Sequence, residues 1–365
     1  MALLRVISIC LGSLLLARAA TAQTSLAPPA ERPPTSKSER KPEPKSEAKA
    51  EARVKKPESK PQSKTETKEA APAPAGATPT PSPTPGDPNV DVVYAEFQRG
   101  RYKTTFNLAT PRAQAGDPHA MTMLGELYSN GLGVKRDYAK ALDWYKRASD
   151  AGDREAMFAL AMMRIAGRGA ATDRQEAVKL LASAAKLGEP KAAYNLALLY
   201  LDGQTLPQDL TRSAELLRQA ADAGNAEAQY ALATFYKEGT GVPKDLDKAV
   251  RLLQAASVAD NVDAEVEYAI ALYNGTGTPK NEAAAVALLR KAAKQNSAIA
   301  QNRLAHVLVS GQGAPMDKIE GLKWHLVAKS AGRGDPDLDA QLNDLSPEDR
   351  AKAETAAKRW LGLVK

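Results

Sequence analysis

Few residues in this sequence could perform catalysis or bind a metal. Ser38 and Lys41 have the S-x-x-K spacing of a nucleophile and its base, but no predicted helix or strand would hold them together. The only cysteine is Cys10, and each of the three histidines lacks a second histidine or cysteine at ligand spacing: His119, His306 and His325. We therefore expect no catalytic site, no metal site and no cofactor.

The first 22 residues have the three parts of a secretory signal. Arg5 precedes an apolar run over residues 6–17, and Ala20 and Ala22 form an A-x-A cleavage site. The apolar run is too short for a bilayer, which requires roughly 20 residues. We expect cleavage after Ala22, a periplasmic or secreted protein, and no stable membrane insertion after cleavage.

Residues 23–88 have a different composition. Prolines alternate with Lys, Glu, Ser, Thr and Ala, and no aromatic residue is present. Such a segment cannot bury enough apolar surface to offset its ordering entropy, so we expect a disordered linker. As a coil its ends would lie roughly 45 Å apart. It is interpreted as a tether, with contact to peptidoglycan as the alternative.

The charge of the remaining residues argues against a nucleic-acid partner. The whole chain carries a net charge of +7, but residues 89–365 hold 36 Lys and Arg against 34 Asp and Glu. A protein that binds nucleic acid usually has a basic face, and this near-neutral part has no basic stripe.

Residues 89–365 are organised by a glycine that returns every 36 residues. Such a fixed period indicates a repeat array. The glycines are Gly131, Gly167, Gly203, Gly239, Gly275 and Gly311. Small residues recur at the same period, beginning with Ala120 and Gly125, and their spacing places them on one side of a helix, where a neighbouring helix can approach closely.

Each period contains the end signals of two helices. The first helix ends at the periodic glycine, and an Asp or Asn such as Asp137 is placed to cap the second. The second helix ends at glycine in four repeats, and at Asp260 and Asn296 in the other two. Asp and Asn tolerate a left-handed backbone best among non-glycine residues, so this column predicts positive φ.

The segment Ala120–Gly152 closely resembles the Sel-1-like repeat, a relative of the tetratricopeptide repeat, and the resemblance covers about residues 89–365. It implies an all-α fold, an α-solenoid of antiparallel helix pairs. Six repeats would occupy residues 118–333, between capping helices at 89–117 and 334–365. It also implies a non-enzymatic adaptor that binds other proteins, and secreted bacterial members include periplasmic regulators of sensor kinases that control exopolysaccharide.

By analogy with tetratricopeptide repeats, positions 2, 5, 9 and 12 of each first helix should face a concave groove. These positions are polar in the first repeat and become apolar in the second, third and fifth. The candidate partner-binding residues are Phe158, Met162, Ile165, Tyr194, Leu198, Leu201, Tyr230, Val266, Ile270 and Tyr273. Two alternatives stay open: a tight superhelix buries these side chains, or the groove is filled by the chain's own linker or by a second copy.

The sequence thus favours an exported adaptor or regulator that binds an envelope protein or peptide segment in its groove. The alternative is a cell-wall or polysaccharide-binding module. That alternative needs exposed aromatic platforms, and an aromatic content of 5% argues against it.

Overall fold

A computed structural model of the chain describes residues 91–364. The predicted signal peptide (1–22) and linker (23–88), including Ser38 and Lys41, lie outside the described residues. Within 91–364 the chain is all-α and contains no strand. None of the helices described there combines the length and hydropathy that crossing a membrane requires.

Sixteen helices follow one another along the described chain. Each packs against the next, except that the last helix packs against the one two before it. They are α1 Val92–Gln98, α2 Tyr102–Gln114, α3 Pro118–Asn130, α4 Tyr138–Asp150, α5 Arg154–Ala166, α6 Arg174–Lys186, α7 Pro190–Asp202, α8 Leu210–Asp222, α9 Ala226–Glu238, α10 Leu246–Val258, α11 Val262–Asn274, α12 Glu282–Lys294, α13 Ala298–Ser310, α14 Lys318–Ser330, α15 Pro336–Asn343 and α16 Pro347–Trp360. The odd-numbered helices α3 to α13 are the first helices of the six repeats, which confirms the predicted α-solenoid.

The predicted helix ends are confirmed. Asp137 caps α4, because its carboxylate accepts hydrogen bonds from the backbone N–H groups of Ala139 and Lys140. The equivalent Asp or Asn caps the second helix in each of the other repeats. Gly131 ends α3 in the left-handed conformation, with φ of 68°. Asp260 and Asn296 have φ of 59° and 66°, so the left-handed backbone is kept without glycine.

The core runs along the array between the two helices of each repeat. The periodic alanines are almost completely buried, as at Ala156 and Ala192, and they let adjacent helices approach closely. Fully buried leucines such as Leu181 and Leu217 fill the space between them. Each such leucine stabilises the fold by roughly 1.5–3 kcal/mol through burial of its side chain.

The last repeat is closed by α15 and α16. His325 is fully buried, and its Nε2 lies 2.8 Å from Asp339 Oδ1 on α15. His306 contacts the same helix through its N-cap residue, with Nε2 2.8 Å from Asp335 Oδ2. Trp324 of α14 packs edge-on against Trp360 of α16, with ring centroids 4.9 Å apart. These contacts cover the apolar end of the solenoid.

Candidate partner-binding groove

One end of the array contains an open cavity of about 730 Å³. It lies between α1, α3 and α5, and we call it the N-terminal groove. All four groove-position residues of the first repeat line it: His119, Thr122, Glu126 and Ser129. Three from the second repeat and one from the third also line it: Glu155, Phe158, Met162 and Lys191. In these repeats the groove positions therefore share one surface.

The groove positions of the first repeat include two small side chains, Thr122 and Ser129. Thr122 stands where the next three repeats carry Phe158, Tyr194 and Tyr230. Thr122 and Phe158 line the same cavity, together with Met123 and Phe97. The groove therefore combines apolar anchors with the polar residues of the first repeat.

A tyrosine from the second helix reaches the floor of this groove. Tyr145 of α4 lines it and donates a hydrogen bond to Glu126, with an Oη–Oε2 distance of 3.0 Å. The ring passes α3 at Gly125, where a Cβ atom would lie 2.6 Å from the Tyr145 ring. Burial, and then the charge of Glu126, raise the pKa of Tyr145 well above its ordinary value. Repeats two to five carry Ala and Leu at these two positions, so the tyrosine is particular to the first repeat.

Acidic side chains are distributed along the groove. Glu126 and Glu155 line it on α3 and α5, and Asp91 stands at its α1 end. The cationic residues that line it are Arg168, whose guanidinium lies 5.3 Å from the Tyr138 ring centroid, and Lys191. The mixture suits a ligand with apolar anchors and at least one cationic side chain, since acidic and aromatic groups both attract cations.

Glu189 is the most buried carboxylate of the groove. It caps α7, where its Oε1 accepts a hydrogen bond from the Lys191 backbone N–H at 3.3 Å. Its nearest cation is Arg154, with Nε 3.9 Å from Oε2, and burial raises the pKa of Glu189. The equivalent capping residues in the other repeats are Asp, Asn or Ser, so Glu189 is the one glutamate among these six caps.

The ten candidate residues fall into two groups, and only Phe158 and Met162 line the N-terminal groove. Tyr194, Leu198 and Val266 are buried, with exposed fractions of 9%, 2% and 4%, and Tyr273 is buried as well. The remaining members are half-buried: Ile165, Leu201, Tyr230 and Ile270. Burial raises the pKa of Tyr194 to about 12, as expected for a phenol packed in the core. Phe158 is as buried as Tyr194, at 9%, and Met162 is half-buried, so these two differ from the other eight in lining the cavity and not in exposure. The predicted binding role of the other eight stays a prediction.

Several lining residues were not among the sequence-based candidates. Tyr94 and Phe97 come from α1, Tyr145 from a second helix, and Arg168 from a loop. The analogy with first-helix positions could not select them. The paired change to Gly125 and Tyr145, away from the Ala and Leu of the next four repeats, was a signal in the sequence that pointed to this floor.

The polar contacts of the groove hold side chains in place. His119 Nδ1 lies 2.9 Å from Asp153 Oδ2, and this carboxylate also caps α5. Among residues 91–364 no cluster of three or more His, Cys, Asp or Glu side chains is placed to hold a metal ion. These contacts fix the position of His119 at the edge of the groove.

Comparison with known families identifies the repeat. A family model described as "Sel1 repeat" matches residues 118–153, 154–189, 190–225, 226–258, 262–297 and 298–332. Together these segments cover more than half of the chain. No curated protein matches the sequence.

Solved structures show the same architecture. A Sel1 repeat protein from Oxalobacter formigenes is 26% identical, with a TM-score of 0.59, over 66% of this chain and 98% of that one. The protein c5321, a protective antigen present in uropathogenic Escherichia coli strains, is 24% identical. Its TM-score is 0.51, over 72% of this chain and 64% of that one. The second likeness concerns the fold alone.

Proposed function

Because the chain belongs to the Sel1 repeat family, whose members generally mediate protein–protein interactions, we propose that it is a non-enzymatic adaptor or regulator. Its partner is a protein or peptide segment that binds in the N-terminal groove. The observation that carries this proposal is the groove itself: a cavity of about 730 Å³ lined by Phe158 and Met162 together with the groove-position residues of the first repeat.

The chemistry of the groove supports a peptide ligand. Phe97, Phe158 and Met162 are aromatic and thioether anchors of the kind that carry binding energy at interfaces. Glu126 and Glu155 line the same groove and would orient a cationic side chain. A short helix or extended segment with an apolar residue next to Lys or Arg fits this arrangement.

The proposal places the protein in the bacterial envelope. Its support is the sequence of residues 1–22, which has the parts of a secretory signal with a cleavage site after Ala22. The linker over residues 23–88 would then separate the repeats from whatever its other end contacts. An envelope protein, such as a sensor kinase or an exopolysaccharide regulator, is the proposed partner.

Filling the groove tests this proposal. Thr122→Tyr introduces the residue type that the third and fourth repeats carry in the same column, so the fold should tolerate it. We expect full-length protein to capture a partner from envelope extract. The Thr122→Tyr variant should capture at most one-tenth as much of that partner. Thr122→Ser, which leaves the space open, is the matched control and should capture as much as the unmodified protein. Equal capture by Thr122→Tyr would show that the partner binds elsewhere.

Binding to the cell wall is the second candidate, and it rests on the linker's composition. Among the described residues, the large exposed aromatic side chains are Tyr94 and Trp360, at opposite ends of the chain. Sedimentation of full-length protein with purified peptidoglycan distinguishes the two functions. Protein that stays in the supernatant while it still captures its partner rules out this second candidate.

A further inference from the structure

We propose that the N-terminal groove binds the C-terminal segment, residues 358–364, of a second copy of this chain, so that copies associate head to tail. This association goes beyond the proposed function and can be measured without any partner. Only its consequence, competition with the partner for the groove, rests on that function. Two features carry the inference: exposed apolar side chains at the end of the described chain, and complementary charges in the groove and on the segment.

The C-terminal segment exposes apolar side chains next to one another. Leu363 and Val364 are 69% and 43% exposed, and Trp360 and Leu361 beside them are exposed as well. Within the six repeats, large apolar side chains are exposed only singly, as at Val258. The end of a solenoid normally presents a polar face, whereas contiguous exposed apolar residues mark interaction sites.

The backbone leaves two of these side chains free of the last repeat. α16 ends at Trp360, whose ring packs against Trp324 of α14. The chain then turns at Gly362, which has the positive φ of 71° that is common just after helix ends. Leu363 and Val364 follow this turn and stay exposed, so they can enter a groove while α16 remains packed.

The charges of the segment and of the groove are complementary. Lys358 and Arg359 lie in the last turn of α16, and both are exposed without an ion-pair partner among residues 91–364. Glu155 in the groove is likewise exposed and forms no ion pair within that part of the chain. The groove is lined by more carboxylates than Lys and Arg side chains: Asp91, Glu126, Glu155 and Glu189 against Arg168 and Lys191. Opposite charges on the two surfaces favour their association and fix its register.

The spacing of the segment fits the α5 side of the groove. Glu155, Phe158 and Met162 all line the cavity, and they lie on successive turns of α5 over about 10 Å. Arg359 and Val364 are five residues apart and can span up to about 18 Å. The segment can therefore place a cation at Glu155 and apolar side chains at Phe158 and Met162 at the same time.

The segment of the same chain lies at the other end of the array. α16 packs against α14 in the sixth repeat, whereas the groove lies on the first and second repeats. Four first helices, at a spacing of roughly 8–10 Å each, lie between α5 and α14. Residues 361–364 extend at most about 14 Å, so the occupant is a second copy. A contact between two different surfaces leaves one groove and one segment free in an open assembly.

Sedimentation equilibrium of purified full-length protein tests the association. We expect the average mass to rise with protein concentration, and a double variant with Leu363→Ser and Val364→Ser to raise the dissociation constant at least tenfold. Val258→Ser changes an apolar side chain that is 80% exposed in the middle of the array, so it is the matched control and should change the constant less than twofold. The mass of a single chain at all concentrations, or equal effects of the segment and control variants, would overturn the inference.

Reversing the charges tests the register. Arg359→Glu and Glu155→Lys should each raise the dissociation constant at least tenfold, because each places like charges against one another. A chain that carries both changes should associate within about threefold of the unmodified protein, since the opposite charges face each other again. Association that stays weak in the double variant would overturn the inference.

Mixing two deficient variants distinguishes a head-to-tail contact from a symmetric one. Thr122→Tyr fills the groove and keeps the segment, whereas the double serine variant keeps the groove. Neither should associate alone, and their mixture should form a heterodimer with the dissociation constant of the unmodified protein. A contact between two segments or between two grooves would leave the mixture dissociated and would overturn the inference. Circular dichroism checks the folding of Thr122→Tyr, and Glu155→Lys takes its place if it is unfolded. Failure of the proposed function is recognised separately, when Thr122→Tyr captures the partner as well as unmodified protein does.

Discussion

Adding a single methyl group at Gly125 should destabilise the first repeat and displace the floor of the groove. The Cβ atom of Gly125→Ala would lie 2.6 Å from two Tyr145 ring atoms and 2.9 Å from a third. The ring is 2% exposed, so it cannot move aside without disturbing its neighbours. Its hydroxyl would also leave Glu126, which accepts its hydrogen bond.

The magnitude follows from opposing contributions. Alanine in place of glycine inside a helix stabilises by about 1 kcal/mol. Overpacking costs roughly 1–3 kcal/mol, and loss of a hydrogen bond to a charged group roughly 1.5–3 kcal/mol. These contributions leave a net destabilisation of roughly 1.5–5 kcal/mol, and we expect at least about 2 kcal/mol. In a Tyr145→Leu background the same change should stabilise by about 1 kcal/mol, since repeats two to five carry the Ala and Leu pair without a clash.

A double-mutant cycle measures this coupling. The free energy of opening of α3 and α4 is followed by hydrogen exchange, because a repeat array need not unfold as one unit. The expected coupling between positions 125 and 145 is about 3 kcal/mol. A neutral or stabilising effect of Gly125→Ala in the unmodified background would refute the proposed passage of Tyr145 past α3.

Two further predictions concern the other repeats. Asn296→Gly should raise the free energy of unfolding in urea by up to about 1 kcal/mol, because glycine adopts positive φ without steric cost. An unchanged free energy of unfolding would show that the backbone of Asn296 is not strained. Hydrogen bonds from Lys329, and then from His325, lower the pKa of Asp339, so the stability this carboxylate contributes is present above its unfolded-state pKa of about 3.9. That stability should be lost as the pH falls through the lower folded-state pKa, and Asp339→Asn should flatten the acid dependence of Trp360 fluorescence; an unchanged acid transition would contradict this.

The fold could be predicted from the sequence because its determinants are local. The periodic glycines, the capping Asp and Asn residues, and the left-handed Asp260 and Asn296 each satisfy a steric or hydrogen-bonding demand within a few residues of chain. Helix pairing then follows from the alanine columns. These requirements are the same in every repeat, so the six copies all support the same fold prediction.

The binding surface could be predicted only in part. The register positions correctly place His119, Thr122 and Glu126 on one surface, but periodicity does not show whether neighbouring helices cover it. Leu198 and Val266 occupy the same register positions and are buried in the array. The open groove lies where Thr122 of the first repeat faces the second repeat, and whether such a position stays open depends on the spacing between helices, which periodicity does not give.

The central claim is that a partner binds at the N-terminal groove and not along the whole array. Glu155 and Glu227 occupy the same register position of α5 and α9, and both are exposed, but only Glu155 lines the groove. The decisive measurement is the dissociation constant of the captured partner for Glu155→Lys and for Glu227→Lys. We predict at least tenfold weaker binding for Glu155→Lys, a change of about 1.4 kcal/mol, and less than twofold for Glu227→Lys. Equal effects of the two variants, or a larger effect at Glu227, would contradict the claim.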